Sequence, residues 1–281
     1  MLKQYSSLNP IFISKDKAFC LYEADCNKIL PCYKQSFDLI FADPPYFLSN
    51  DGLTINSGKV VSVNKGAWDE EKDLKKIDSF NKTWIQNAKT ALKDTGSLLV
   101  SSTYHNVFSL GKALQELNFK LLNIITWQKS NPPPNFSCRF LTHSTEQVIW
   151  ARKSERHKHI FNYELLKKLN DNKQMKDVWN LPAISSWEKA NGKHPTQKPL
   201  ALLVRLLLMA SAKDSLICDP FSGSSTTGIA ANLLGRRFIG IEKDTNFIDL
   251  SIKRKLDLDK NKAKIESKIK DLVFLKNSSL S

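Results

Sequence analysis

Apolar positions along the chain fall into two patterns. Short continuous apolar runs occur at Ala18–Glu23, Asp38–Asp43, Ser97–Ser101, Leu121–Trp127, Gln147–Trp150, Ser215–Cys218 and Phe238–Ile241, and each reads as a buried strand. Between them the spacing turns helical: Asn27–Leu30, then Phe80, Trp84, Ala88, Ala91 and Leu92 with Gly96 as the stop, then Val107, Leu110, Leu114 and Leu117. Further helices are predicted at Leu200–Met209, preceded by Thr196 as N-cap and Pro199, at Gly228–Leu234 with Gly235 as stop, and from about Asn246. Strands alternating with helices predict a doubly wound α/β fold on a mostly parallel, seven-stranded sheet.

Three segments depart from this alternation. A polar stretch from Phe47, rich in Gly, Asn and Ser, reads as a flexible loop over 47–82, with Trp68 as its only central anchor. Residues 152–193 hold ten Lys or Arg against five Asp or Glu, interleaved with Phe161, Tyr163, Trp179 and Trp187, a composition suited to phosphates and bases. Beyond Lys253 the tail to 281 is basic and reads as a surface helix. All three are taken as additions to one domain spanning 1–281. The loop Lys129–Asn135 carries three consecutive prolines and should be stiff and extended.

Composition narrows the class. At 281 residues with 41% hydrophobic content the chain can bury a core. No apolar run approaches the roughly 20 residues of a membrane helix, and Met1–Pro10 has no apolar leader, so the expected location is cytoplasmic, with no membrane partner. Five cysteines without a CxxC pair predict neither zinc nor disulfides, and no metal is expected. A net charge of +14 is the footprint of a polyanion partner, which points to nucleic acid.

Two turns carry candidate chemistry. Asp43-Pro44-Pro45-Tyr46 follows an apolar strand; its prolines fix the backbone, and a carboxylate, a free carbonyl and an aromatic face converge. Such a spot suits a planar substrate with an exocyclic amine. Taken alone, the turn reads first as an ordinary strand exit; the second turn downstream shifts that reading. Far downstream, Asp219-Pro220-Phe221-Ser222-Gly223-Ser224-Ser225-Thr226-Thr227 links a strand to a helix, and the next strand ends in Glu242. The turn lacks both the full G-x-G-x-x-G and a following Gly-Lys-Ser/Thr, so phosphate binding is disfavoured. A nucleoside ligand without phosphate fits better, with Gly223 allowing close approach and Glu242 accepting ribose hydroxyls. S-adenosylmethionine is the common ligand of that description. Asp25 stands at another strand's carboxyl end, where spacing alone makes it a helix N-cap.

ADPPY and DPFSGSSTTG, in that order, resemble the β group of DNA amino-methyltransferases, and the resemblance covers most of the chain. It implies a circularly permuted S-adenosylmethionine-dependent methyltransferase fold with an inserted target-recognition segment. Asp25 falls where the family sets an acid against the cofactor's adenine, and His194-Pro195-Thr196-Gln197-Lys198-Pro199 matches its cofactor-side motif. The resemblance thus implies Asp25, Asp43, His194, Thr196, Lys198, Asp219, Phe221, Gly223, Ser224, Ser225, Thr226 and Glu242 as cofactor residues, and Asp43, Pro44 and Tyr46 as catalytic. Trp68, Lys129, Asn135, Arg139, Arg152, Lys176 and Trp179 are its candidate DNA contacts.

Asn135–Arg139 and Gln174–Trp179 look closest to Dpn-type GATC adenine enzymes, while GANTC enzymes share much of the pattern. Ser225 stands where the family has a second glycine, which is tolerable if that residue has negative φ. The implied activity is methylation of adenine N6 in double-stranded DNA, releasing S-adenosylhomocysteine. Cytosine N4 methylation and a catalytically silent DNA-binding module stay open as alternatives. Cytosine C5 chemistry needs a cysteine nucleophile after the strand, and Pro31-Cys32 precedes it. Whether the chain forms a homodimer, accepts single-stranded DNA or partners a restriction endonuclease stays open too.

Overall fold

The apolar runs become neighbours in one sheet. A computed structural model describes residues 9–47, 53–56, 59–62, 73–135 and 138–273. In chain order the strands are β1 (Phe12–Ile13), β2 (Phe19–Glu23), β3 (Phe37–Ala42), β4 (Leu53–Asn56), β5 (Lys59–Ser62), β6 (Leu92–Ser102), β7 (Lys120–Lys129), β8 (Thr145–Arg152), β9 (Val178–Leu181), β10 (Leu216–Asp219) and β11 (Arg237–Glu242). The helices are α1 (Cys26–Ile29), α2 (Leu74–Ala91), α3 (Val107–Glu116), α4 (Tyr163–Leu169), α5 (Leu200–Ala210), α6 (Thr226–Leu233) and α7 (Thr245–Val273).

The main sheet has the order β1-β2-β11-β10-β3-β6-β8-β7-β9, and β4 and β5 form a separate hairpin. From β2 to β6 neighbouring strands are parallel, whereas β8 is antiparallel to both β6 and β7. All seven expected strands are present. The count rises to nine because a two-residue strand and β9 join the edges; β9 alternates exposed Val178 and Asn180 with buried Trp179 and Leu181. The sheet order explains how the site is assembled. The late strands β10 and β11 sit between the early strands β2 and β3, so the second turn opens beside the first. Open α/β sheets bind ligands at the carboxyl ends of strands next to such a reversal.

Both faces of the sheet are covered, which is why the strands read as continuous apolar runs. On β3, Leu39 and Phe41 enter one core with Leu203, Leu207 and Phe238, while Ile40 and Ala42 enter the other with Trp84, Leu98 and Leu114. Burying each large side chain contributes roughly 1.5–3 kcal/mol, ample to hold two loops rigidly at one edge.

Several expectations need correction. Gly96 does not stop a helix: α2 ends at Ala91 and Gly96 lies inside β6, where a Cβ would meet the Lys93 carbonyl oxygen at 2.9 Å and the Phe37 carbonyl oxygen at 3.1 Å. The loop after the first turn is shorter than 47–82, because Asp73 accepts the Lys75 N–H and starts α2 at Leu74. Trp68 lies outside the described residues. Thr196 is not the cap of α5; that helix starts at Leu200, whose N–H is taken by the buried carboxylate of Glu188 at 2.8 Å. Nor is α7 a mere surface tail. Leu258, Ile265 and Ile269 pack into the core, with a break in helical geometry at Asn261.

Candidate active site

The first turn is fixed from behind. Tyr46 is buried, and its hydroxyl donates to Asp43 Oδ1 at 2.5 Å while meeting Ser101 Oγ at 2.7 Å. Lys198 Nζ donates to the other Asp43 oxygen at 2.7 Å and stands 5.0 Å from the centre of the Tyr46 ring. Glu146 completes the network, 3.5 Å from Lys198 and 2.7 Å from Lys129. Burial opposes the Lys198 ammonium, but Asp43, Tyr46 and Glu146 outweigh it and hold its pKa well above the usual value. Burial also opposes the Glu146 carboxylate, and the two lysines outweigh it to pull its pKa down. The Asn106 amide, itself fully buried, donates to the Pro45 carbonyl at 3.2 Å and ties the turn to the start of α3.

The second turn is held by what lies beneath it. Asp219 is buried and accepts the Phe221 N–H at 3.0 Å and the Thr227 hydroxyl at 2.6 Å. Burial pushes its carboxyl up to about 7. Gly223 has φ +50°, and a Cβ there would stand 2.9 Å from His194 Nε2. Its N–H donates to Glu242 Oε2 at 2.7 Å, while Glu242 Oε1 takes the amides of Lys243 and Asp244. Burial raises the Glu242 pKa against those three donors. From below, Arg254 donates to the Ser224 carbonyl and hydroxyl and to the Thr226 hydroxyl, and Ser251 donates to the Gly223 carbonyl.

Between the turns lies a cavity of about 300 Å³. Asp43, Pro44 and Tyr46 line one side, and Gly223, Glu242 and Asp25 the other. His194, Thr196 and Phe221 contribute too, with Phe80, Ile241 and Phe247 adding apolar surface. The volume suits a nucleoside-sized ligand. Apolar faces for a base, acids at the ends of two parallel strands and a glycine that no Cβ could replace fit S-adenosylmethionine. His194 leans on Phe247 with ring centroids 4.1 Å apart, and burial lowers its pKa to about 4, so it stays uncharged beside a cationic ligand. Asp25 caps α1 through the Asn27 N–H at 2.8 Å and also lines the cavity, where it pairs with Lys243 at 2.7 Å.

Other predicted residues sit elsewhere. Ser224, Ser225 and Thr226 are buried and support the turn instead of the main cavity. Ser225 has φ +54°, not the negative value its departure from glycine called for, and its hydroxyl meets Ser222 Oγ at 2.6 Å. Lys198 and Asp219 border a side cavity of about 30 Å³ that also touches Asp43. Among the expected DNA contacts, Trp179 is 4% exposed, bonded to the Lys176 carbonyl and packed in the core. Lys129 is engaged with Glu146 and stands 5.2 Å from the centre of the Trp127 ring. Arg152 ends β8, an antiparallel strand that starts at the site's edge, so it lies about 24 Å away at roughly 3.4 Å per residue. Arg139 and Lys176 are exposed, and Asn135 is half-buried and donates to the Phe140 carbonyl. Glu146, Asn106 and Arg254 were invisible to motif reading; a carboxylate opening an apolar strand was the one usable hint.

The profile of the N6/N4 DNA methylase family matches residues 37–253. The chain belongs to the DNA methylase family. It is 55% identical over 248 residues to the Type II methyltransferase M2.MboI of Moraxella bovis, covering 88% of this chain and 91% of that protein. To M2.DpnII of Streptococcus pneumoniae it is 49% identical, covering 86% and 91%. Among solved structures, the M1.HpyAVI–SAM complex is similar with a TM-score of 0.64 and 28% identity, over 84% of this chain and 98% of that one. The cytosine-N4-specific PvuII DNA methyltransferase shares the fold, with a TM-score of 0.70 at 20% identity over 97% of each chain. The DNA methylase described here is therefore a site-specific, S-adenosylmethionine-dependent enzyme with its two motif turns facing one cavity.

Proposed function

We propose that this DNA methylase methylates N6 of an adenine flipped out of double-stranded DNA, within a short site such as GATC. The observation that carries the reading is that the Asp43 carboxylate and the Gly223 turn line the same cavity. Asp, where cytosine-N4 enzymes of the resembling group favour Ser, supports adenine. The likeness to M2.MboI and M2.DpnII supports the site, and their Type II designation supports a restriction–modification setting with an endonuclease reading the same sequence. A DNA substrate in a restriction–modification setting supports a cytoplasmic location.

A duplex hides the adenine amine, so the base must leave the stack at a cost of a few kcal/mol. The Tyr46 ring offers a face that returns about 1–3 kcal/mol by stacking. Asp43 already accepts from Tyr46 and Lys198, one on each oxygen, and each oxygen keeps a second lone pair for an amine hydrogen. With the Pro44 carbonyl as the second acceptor, the amine is turned so that its lone pair leaves conjugation with the ring. Bound S-adenosylmethionine supplies the electrophilic methyl. Asp25, Glu242, His194 and Phe221 would hold that donor, and the chain contributes placement and electrostatics without a covalent intermediate.

Mass spectrometry of nucleosides from DNA methylated by the purified enzyme tests the reading. N6-methyladenine is expected; N4-methylcytosine would replace it with the rival reading, since the same acceptors can hold a cytosine amine. Sequencing of the modified positions then tests the GATC context.

A further inference from the structure

The register of the sheet brings two loops to the edge where Asp43 sits. β6 runs parallel to β3 with Val100 opposite Ala42, so Thr103–Asn106 leave the sheet beside the first turn. β8 is antiparallel to β6, with Gln147 opposite Ser102, and β7 is antiparallel to β8, with Gln128 opposite Thr145. The end of β7 at Lys129 and the start of β8 at Thr145 therefore stand at the same edge. Ser101 and Asn106, which flank the first loop, bond directly to Tyr46 and the Pro45 carbonyl.

On these loops lies an unusual surface. Leu141 is 89% exposed and Phe140 59%, and Tyr104, half exposed, stacks on His143 with ring centroids 4.7 Å apart and planes within 19°. Phe140 leans on His143 at 5.3 Å, and Asn135 donates to the Phe140 carbonyl to shape the loop. Nothing in the chemistry derived above uses these side chains. Large exposed apolar groups beside a catalytic mouth mark an interaction surface. These side chains do not line the cavity; on a chain of net charge +14 that acts on DNA, with Arg139 adjoining Phe140, they stand on loops at the sheet edge that carries the first turn. Apolar side chains that enter a DNA stack hold unstacked steps open.

We propose that Leu141 and Phe140 enter the duplex at the target step and occupy the space the flipped base vacates, with the Tyr104–His143 stack as their support. This rests on the adenine-flipping reading above and assigns the wedge that drives it. The wedge acts on the DNA alone, and neither methyl donor nor acceptor groups touch it.

The test compares Phe140→Ala/Leu141→Ala with wild type on two duplexes, one fully paired and one mispaired at the target adenine, where extrusion costs less. Loss of the wedge should lower kcat/KM on the paired duplex by roughly tenfold or more, as loss of one stacking contact does. The mispaired duplex should be methylated within about threefold of wild type, and S-adenosylmethionine affinity by calorimetry should be unchanged. A separate Tyr104→Ala variant should show the same pattern more weakly. Equal losses on both duplexes, or no loss on either, would overturn the wedge. Failure of wild type to methylate adenine at all would instead overturn the reading beneath it.

Discussion

Lys198 Nζ lies 2.7 Å from Asp43 Oδ2, joining residues 155 positions apart in the chain. Lys198 is 7% exposed and also faces Glu146, so one buried ammonium serves two partly buried carboxylates. Removing it leaves Asp43 without its cation, while Glu146 keeps Lys129. Lys198→Met is expected to cost about 3–5 kcal/mol in urea unfolding, the range for breaking a buried ion pair by deleting one partner. A loss below 1 kcal/mol would show that solvent already reaches the network.

Gly223 combines φ +50° with a backbone pressed against His194. Gly223→Ala must both hold a left-handed alanine, at roughly 1–3 kcal/mol, and displace the imidazole from the cavity wall. Affinity for S-adenosylmethionine should fall at least tenfold in calorimetry, while circular dichroism shows the fold retained.

Ser225 separates strain from hydrogen bonding. Its left-handed φ of +54° costs about 1–2 kcal/mol, and its bond to Ser222 returns about 1 kcal/mol. Ser225→Gly relieves the strain and loses the bond, so stability should change little. Ser225→Ala loses the bond and keeps the strain, and should be destabilised by about 1 kcal/mol. Urea denaturation of the pair decides it.

His194 gives the fold a pH dependence. Burial lowers its pKa from 6.5 to about 4, so the unfolded chain binds the proton more readily between those values. Stability from this residue is present above pH 6.5 and is lost as pH falls toward 4. Asp219, pushed up to about 7, has the opposite slope, since its contribution is lost as pH rises through that value. Comparing wild type with His194→Gln isolates the histidine: the stability difference should move against wild type by about 2 kcal/mol between pH 7 and pH 5.

Much of this was legible in the sequence, for physical reasons. Strands buried on both faces are continuous apolar runs, so all seven central strands could be read, as could the two turns that end β3 and β10. What could not be read depends on distant partners. Trp179 looked like a base-stacking aromatic because composition cannot tell a core tryptophan from a surface one. Arg152 belonged to a basic segment, yet strand direction carried it to the far edge of the sheet. Ser225 in place of glycine reads as tolerable only at negative φ, yet the sign is set by the whole turn, including the Ser222 contact, and comes out left-handed. Glu146, Asn106 and Arg254 form no local motif; only the sheet order brings them under the turns. Gly96 looked like a helix stop because close packing against Phe37 is invisible in one dimension.

The central claim is that one cavity serves both the methyl donor and the base, with Asp43 acting on the base. Asp43→Asn keeps the side chain's shape and one of its two acceptor oxygens. Calorimetric titration of that variant with S-adenosylmethionine, paired with a tritiated-methyl assay on cognate duplex, measures the two halves separately. Donor affinity should stay within a few-fold of wild type while methyl transfer falls by roughly a hundred- to a thousandfold, the scale for removing one preorganised hydrogen-bonding group in catalysis. Lost donor affinity, or transfer that survives the substitution, would contradict the account.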